Sequence, residues 1–158
     1  MTQNETLAYT AGLIDGEGYI GLMKSNGYKY PTFIPVVKVA SCDPYMVVFL
    51  HANFGGNLEN RTPQNPLHSL SRAWSIRGAK RVGHFLEAIR PYLIVKHLQA
   101  DLVIDYSKNY TGTGHARMKY DKSTTSYIMS QEFIIKRQEY YANVKKLNKR
   151  GRAVAETE

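Results

Sequence analysis

Hydrophobic and polar positions along the chain alternate between two periods. From Thr2 or Asn4 to Asp15 the pattern is helical. Thr2 and Glu5 have capping-box spacing, and Asn4 is a second candidate cap. On this segment Ala8, Ala11 and Gly12 lie three and four residues apart, a run of small side chains that lets another backbone approach closely, while Leu7 and Ile14 supply apolar bulk to a different side. One helix with two packing sides implies a place between its own core and a second body. Tyr19 to Ser25 switches to period two, with Ile20 and Leu22 opposed to Gly21, Met23 and Ser25. After a Gly/Tyr/Lys turn, residues 31–41 form a second extended run, with Val37 and Val39 on one face and Val36, Lys38 and Ala40 on the other. Asp43-Pro44 opens a helix that runs through Phe54 and stops at Gly55-Gly56. Residues 58–62 and 68–77 read as two more strands around a Pro/Asn turn. Residues 78–90 are helical on Val82, Phe85, Leu86 and Ile89; Pro91 breaks that helix and opens another to about Tyr106. Ser107 to Ser126 reads as a long basic loop, and residues 128–149 as a last amphipathic helix. The predicted order is α-β-β-α-β-β-α-α-α, an α+β chain, with one domain over 1–151 and a fraying tail at 152–158.

A length of 158 residues with 43% hydrophobic content is enough for one real core. The formal charge of +8 favours a polyanionic partner. Cys42 stands alone, so no intrachain disulfide forms and a reducing compartment is allowed. No apolar run has membrane length and no basic-then-apolar leader opens the chain, so the expectation is an intracellular protein, organellar or microbial, without a membrane partner. His51, His68, His84, His97 and His115 show no metal-ligand spacing with Cys42, and neither a phosphate loop nor a dinucleotide fingerprint is present, so no nucleotide cofactor is expected.

The segment Thr10 to Gly18 holds the most chemistry. Asp15 and Glu17 sit where a helix ends, and the last carbonyls oppose a carboxylate there by roughly 0.3–1 kcal/mol. Something positive should offset them, and hard Mg²⁺, which binds a few oxygens and keeps its waters, is a natural candidate.

Thr10 to Gly18 resembles the motif of the LAGLIDADG homing endonucleases, with Thr in place of the first Leu. Phe54-Gly55-Gly56, Arg72 to Ile76, Phe85 to Ile89, Pro91 to Ala100 and Leu147 to Gly151 look like later blocks of that family, in order over nearly the whole chain. The resemblance implies an αββαββα fold with additional C-terminal helices and an antiparallel β-saddle. Because the motif occurs once, it also implies a homodimer joined through the motif helix, with Ala8, Ala11 and Gly12 at the axis. Glu17 would give side-chain oxygens and Gly16 a backbone carbonyl to Mg²⁺; residues two apart do not share a helix face, so Asp15, the other acid, then reads as structural, bonding backbone donors. Mn²⁺ would substitute, and Ca²⁺ would support binding without cleavage. Both strands of a long pseudo-palindromic duplex site would be cut across the minor groove, leaving 3′ overhangs. Lys96 matches a family lysine near the cleavage centre, and Ser41 stands where many relatives carry a water-orienting Gln.

The same resemblance places DNA reading on the sheet. Period two then assigns Met23, Ser25, Lys38, Ala40, Arg61, Ser71, Ser75 and Arg77 to the open face, with Asn26, Tyr28, Lys29 and Tyr30 in the adjoining turn. Lys108, Arg117, Lys119 and Lys122 on the long loop would hold phosphates. The competing readings are a cleavage-silent intron maturase or DNA-binding protein of the same fold, and a basic scaffold or ribosome-associated protein. The last explains the charge but not the glycine-spaced acids.

Overall fold

A computed structural model describes residues 1–25, 30–62, 70–110, 118–121 and 126–149, with backbone alone at 118–121 and 126–128. Asn26, Tyr28, Lys29, Arg117 and Lys122, and the side chain of Lys119, lie outside what is described.

Helix α1 (Gln3–Glu17) begins as its capping box dictates: the Thr2 hydroxyl accepts from the Glu5 N–H and the Glu5 carboxylate accepts from the Thr2 N–H. Strands β1 (Gly18–Ser25) and β2 (Thr32–Ser41) follow, then α2 (Pro44–Phe54), whose first turn is capped by Asp43 through the Tyr45 N–H. Strands β3 (Asn57–Arg61) and β4 (Ser71–Arg77) complete a four-stranded antiparallel sheet in the order β1-β2-β4-β3. Helix α3 (Ala79–Ile89) and a short 3-10 turn (Arg90–Tyr92) lead to α4 (His97–Asn109). A β5–β6 hairpin (Met118–Asp121 and Ser126–Met129) and α5 (Gln131–Leu147) end the described chain. Among the described residues no helix is long and apolar enough to cross a membrane.

One face of the sheet carries the core. Ile20, Leu22, Phe33, Val37, Val39, Trp74 and Ile76 interleave there with Ile14 of α1, Leu50 of α2, Leu86 of α3, Val103 of α4 and Val144 of α5. This is the face that period two assigned to the core. Trp74 shows how tightly the β3–β4 ribbon is seated. Its Nε1–H donates to the Gly55 carbonyl at 2.6 Å, and a Cβ on Gly56, whose φ is +107°, would lie 2.7 Å from the same nitrogen. Only glycine suits that backbone and that approach.

The structure departs from the sequence pattern in three places. The helix expected from Pro91 to Tyr106 starts instead at His97, because the N–H groups of residues 94–96 are taken by a distant carboxylate, Asp15. The long loop expected over 107–126 instead includes the last three residues of α4 and strand β5, which pairs with β6 from Ser126. The final helix begins at Gln131 rather than at residue 128, where Ser130 caps it through the Phe133 N–H.

Ile14 is fully buried between α1 and the sheet. Ile14→Ala should therefore cost about 2–5 kcal/mol. The expected readout is a lower denaturant midpoint with an unchanged slope.

Candidate active site and nucleic-acid face

Helix α1 stops at Gly18, which is extended and donates its N–H to the Ile14 carbonyl. The acids at this end are offset from within the chain. The Lys96 ammonium donates to the carbonyls of Ile14 (2.8 Å) and Asp15 (2.6 Å), the helix end where a cation is favoured. The Asp15 carboxylate in turn accepts the N–H groups of Ile94 (2.7 Å), Val95 (3.1 Å) and Lys96 (2.9 Å), just ahead of α4. An anion is favoured at that end for the same electrostatic reason. Asp15 is thus the structural acid that the sequence implied. Burial opposes its ionisation, but the three N–H bonds and the nearby Lys96 charge outweigh burial and hold its carboxyl below the usual value.

Glu17 stands apart. It is exposed, and among the described residues no side chain pairs with it. Gly16 is also exposed, and nothing lies within 4 Å of where its Cβ would be. A free carboxylate beside an accessible carbonyl is a hard-oxygen donor set that fits Mg²⁺ or Ca²⁺ with water completing the shell. Among the described residues no group of three or more His, Cys, Asp or Glu could hold a metal ion. Ser41 is partly committed: its hydroxyl accepts the Asp43 N–H at 3.0 Å in the turn into α2.

The second sheet face is the more exposed of the two, although Val36 on it is fully buried. On β1 it carries Tyr19, Gly21, Met23 and Ser25; on β2, Ile34, Val36, Lys38 and Ala40; on β4, Ser71, Ala73, Ser75 and Arg77; on β3, Asn57, Glu59 and Arg61. Met23, Ser25, Lys38, Ala40, Arg61, Ser71 and Arg77 all keep solvent access, as does Tyr30 before β2. Ser75 is a correction. It pairs with both Lys38 and Asn57, and these longer neighbours leave it only 5% exposed. Lys108 is another: it belongs to α4 and is ion-paired with Glu87 of α3 at 2.6 Å, on the helical side of the sheet. Tyr19, Asn57 and Glu59 were missed although their strand parity marked them, and Glu59 matters because its carboxylate pairs with Arg77 at 3.7 Å on this face.

The small side of α1 also needs one correction. Ala8 and Gly12 are exposed, and Gly16 continues their stripe one turn on, but Ala11 is fully buried in the chain's own core. Residues eight and twelve are stacked at i and i+4, whereas eleven is rotated toward Ile14.

Because Asp15 is held below its usual pKa, its contribution to stability is present above the unfolded carboxylate value, about 3.9, and is lost as pH falls through the folded value. Asp15→Asn cannot accept three N–H bonds. It should be destabilising by roughly 1–3 kcal/mol at neutral pH, and the gap to wild type should close as denaturation curves are repeated at progressively lower pH below 4.

No protein-family model and no curated protein matches the sequence. Solved structures do. The homing endonuclease I-CvuI, bound to its target in the presence of Ca, superposes with a TM-score of 0.71 over 96% of this chain and 86% of its own, at 17% identity. The archaeal intron-encoded homing endonuclease I-Vdi141I, complexed with DNA, gives 0.71 over 95% and 88%, at 12% identity. The homing endonuclease I-TnaI gives 0.62 over 93% and 95%, at 16% identity. A further likeness, over 65% of this chain, is to the LAGLIDADG homing endonuclease I-GzeII with its DNA target, at a TM-score of 0.53 and 14% identity. At these identities the likenesses establish a shared fold, that of the homing endonucleases I-CvuI, I-Vdi141I and I-TnaI.

Proposed function

We propose that the protein is a site-specific DNA endonuclease that acts as a homodimer and hydrolyses both strands of a long pseudo-palindromic duplex with the help of a divalent cation, leaving 3′ overhangs. The observation that carries this reading is the state of the α1 terminus. Three main-chain bonds and a lysine hold the helix end, while Glu17 beside them is left exposed and, among the described residues, without a side-chain partner. A carboxylate kept for folding alone gains nothing from that position, where the helix dipole opposes it. The DNA-bound likenesses of I-CvuI and I-Vdi141I support duplex DNA as the substrate.

In this reading residues 1–151 work as one unit, and two copies meet along the Ala8, Gly12 and Gly16 stripe. That contact brings the two Glu17 carboxylates together, each with its Gly16 carbonyl. When bound there, Mg²⁺, or Mn²⁺ in its place, would supply Lewis-acid stabilisation of charge on the phosphate and a more acidic water. Ca²⁺ would support binding without cleavage. Lys96 is a positioning residue here, since its ammonium holds the carbonyls that precede Gly16. Ser41 sets the turn beyond β2 and can offer its remaining lone pair and proton to ordered water. Lys38 and Arg61 face base edges from the sheet, where Arg and Lys suit guanine. Arg77 does so under the restraint of Glu59.

The test is a cleavage selection on a randomised duplex library with Mg²⁺, run with wild type and Glu17→Gln. Wild type should cut a two-fold-related site, and Glu17→Gln should bind that site in Ca²⁺ yet lose cleavage by at least about two orders of magnitude. Enrichment of a bound site that neither protein cuts would instead make this a DNA-binding module. Gly12→Leu tests the assembly. Its new side chain meets open space in a single chain, so folding should persist while sedimentation shifts from dimer to monomer and cleavage is lost. A dimer that survives this change would place the two-fold contact elsewhere.

A further inference from the structure

The C-terminal turn of α5 carries Lys145 and Lys146, and Lys149 follows it. Among the described residues these lysines have no acidic partner, whereas Arg77, Arg90, Lys108 and Lys136 are each ion-paired. A helix C-terminus favours cations by about 0.3–1 kcal/mol. That accounts for lysines at the end of a helix, but not for where this end is fixed. The side-chain N–H of Asn148 donates to the Ile20 carbonyl at 2.8 Å, on the outer edge of β1. The same side chain lies near the Tyr19 phenol, whose ionisation burial opposes and Asn148 favours. Tyr19 lies over Gly21 on the open face, where a Cβ on that glycine would meet the phenol oxygen. The end of α5 is therefore tied to the edge of β1, and exposed Lys146 and Lys149 lie within two residues of the side chain that ties it.

Resting on the DNA reading above, we propose that the C-terminal turn of α5 extends the nucleic-acid face beyond β1, with Lys146 and Lys149 gripping phosphates of the duplex outside the sheet. Such contacts fix register and orientation and carry no base preference. Asn148 is the positioning residue that holds them there. Lys145 is less available, because its ammonium lies 5.9 Å from the centre of the Tyr141 ring.

The experiment measures binding of a random-sequence duplex between about 50 and 200 mM salt. It compares wild type, Lys146→Ala/Lys149→Ala, and a charge-matched control, Lys80→Ala/Lys108→Ala. The control residues border a cleft between α3 and α4 on the opposite side of the sheet. The slope of log K against log salt should fall by about 0.9 for each phosphate no longer gripped, up to about 1.8 for the α5 pair. The control should keep the wild-type slope. Asn148→Ala, which removes no charge, should lose part of the slope. Equal slopes for the two double variants overturn the proposal while leaving the DNA reading intact. A wild type that binds no duplex overturns both.

Discussion

The exchange of charges between Asp15 and Lys96 organises the active end of this molecule. Two helix termini of opposite polarity meet there. The C-terminus of α1 receives an ammonium from the start of α4, and the approach to the α4 N-terminus receives a carboxylate from α1. Each partner answers an electrostatic deficit of the other element. Five hydrogen bonds thus join segments some eighty residues apart. The consequences run both ways along the chain. The stretch before α4 is held away from helix, which leaves Ile94 and Val95 prominently exposed. The end of α1 is fixed, so the direction in which Glu17 leaves the helix is fixed with it. In the proposed function this acid takes the cation, because the local needs of the helix end are already met by Lys96.

The two sides of the sheet differ sharply in composition. On the core side, apolar residues from all five helices close over the strands. On the open side, small residues at the centre, Gly21, Ala73 and Ser75, leave the longer Tyr19, Lys38, Arg61 and Arg77 to form the relief. Charge follows the same division. Several exposed cations of the helical layer are neutralised by neighbours, as in Arg90–Asp101, Lys108–Glu87 and Lys136–Glu139. Exposed pairs of this kind add little stability, but they do remove positive field from that side. The surplus of +8 is thereby directed elsewhere on the surface.

Local chemistry made much of this legible in the sequence. The Thr2/Glu5 box, the Asp43-Pro44 start and the period-two strands depend only on near neighbours, and each forms where the pattern placed it. What could not be read depends on partners far along the chain. Asp15 overrides the helical pattern after Pro91 from a distance of about eighty positions. Lys108 sits within a basic stretch, but Glu87 on a neighbouring helix turns it away from the sheet. Ala11 and Gly12 differ by one residue and look alike in composition, yet only the packing of Ile14 decides which faces the core. The hairpin strand ending at Met129 runs straight into α5 as an apolar stretch, so the turn between them is marked by Ser130 alone.

Arg137 explains why α5 lies where it does. Its guanidinium is 1% exposed, and among the described residues it meets no carboxylate. It donates instead to the Tyr106 hydroxyl at 3.2 Å and the Met129 sulfur at 3.5 Å, and it lies over the Phe33 and Phe133 rings, while Nη2 has no hydrogen-bond partner among the described residues. Cation–π contacts of roughly 0.5–2 kcal/mol each only partly offset the desolvation of a buried charge. An apolar side chain of similar size would fill this space at lower cost, so stability alone is a poor account of the residue. Its contacts outside α5 come from three other elements, β2 through Phe33, α4 through Tyr106 and the hairpin through Met129, and Tyr106 itself donates to the Phe33 carbonyl at 3.0 Å. A group with direction and no freedom, held at the junction of those elements, fixes the angle of α5 more sharply than dispersion contacts can. That angle carries the far end of the helix to the edge of β1, where Asn148 donates to the Ile20 carbonyl.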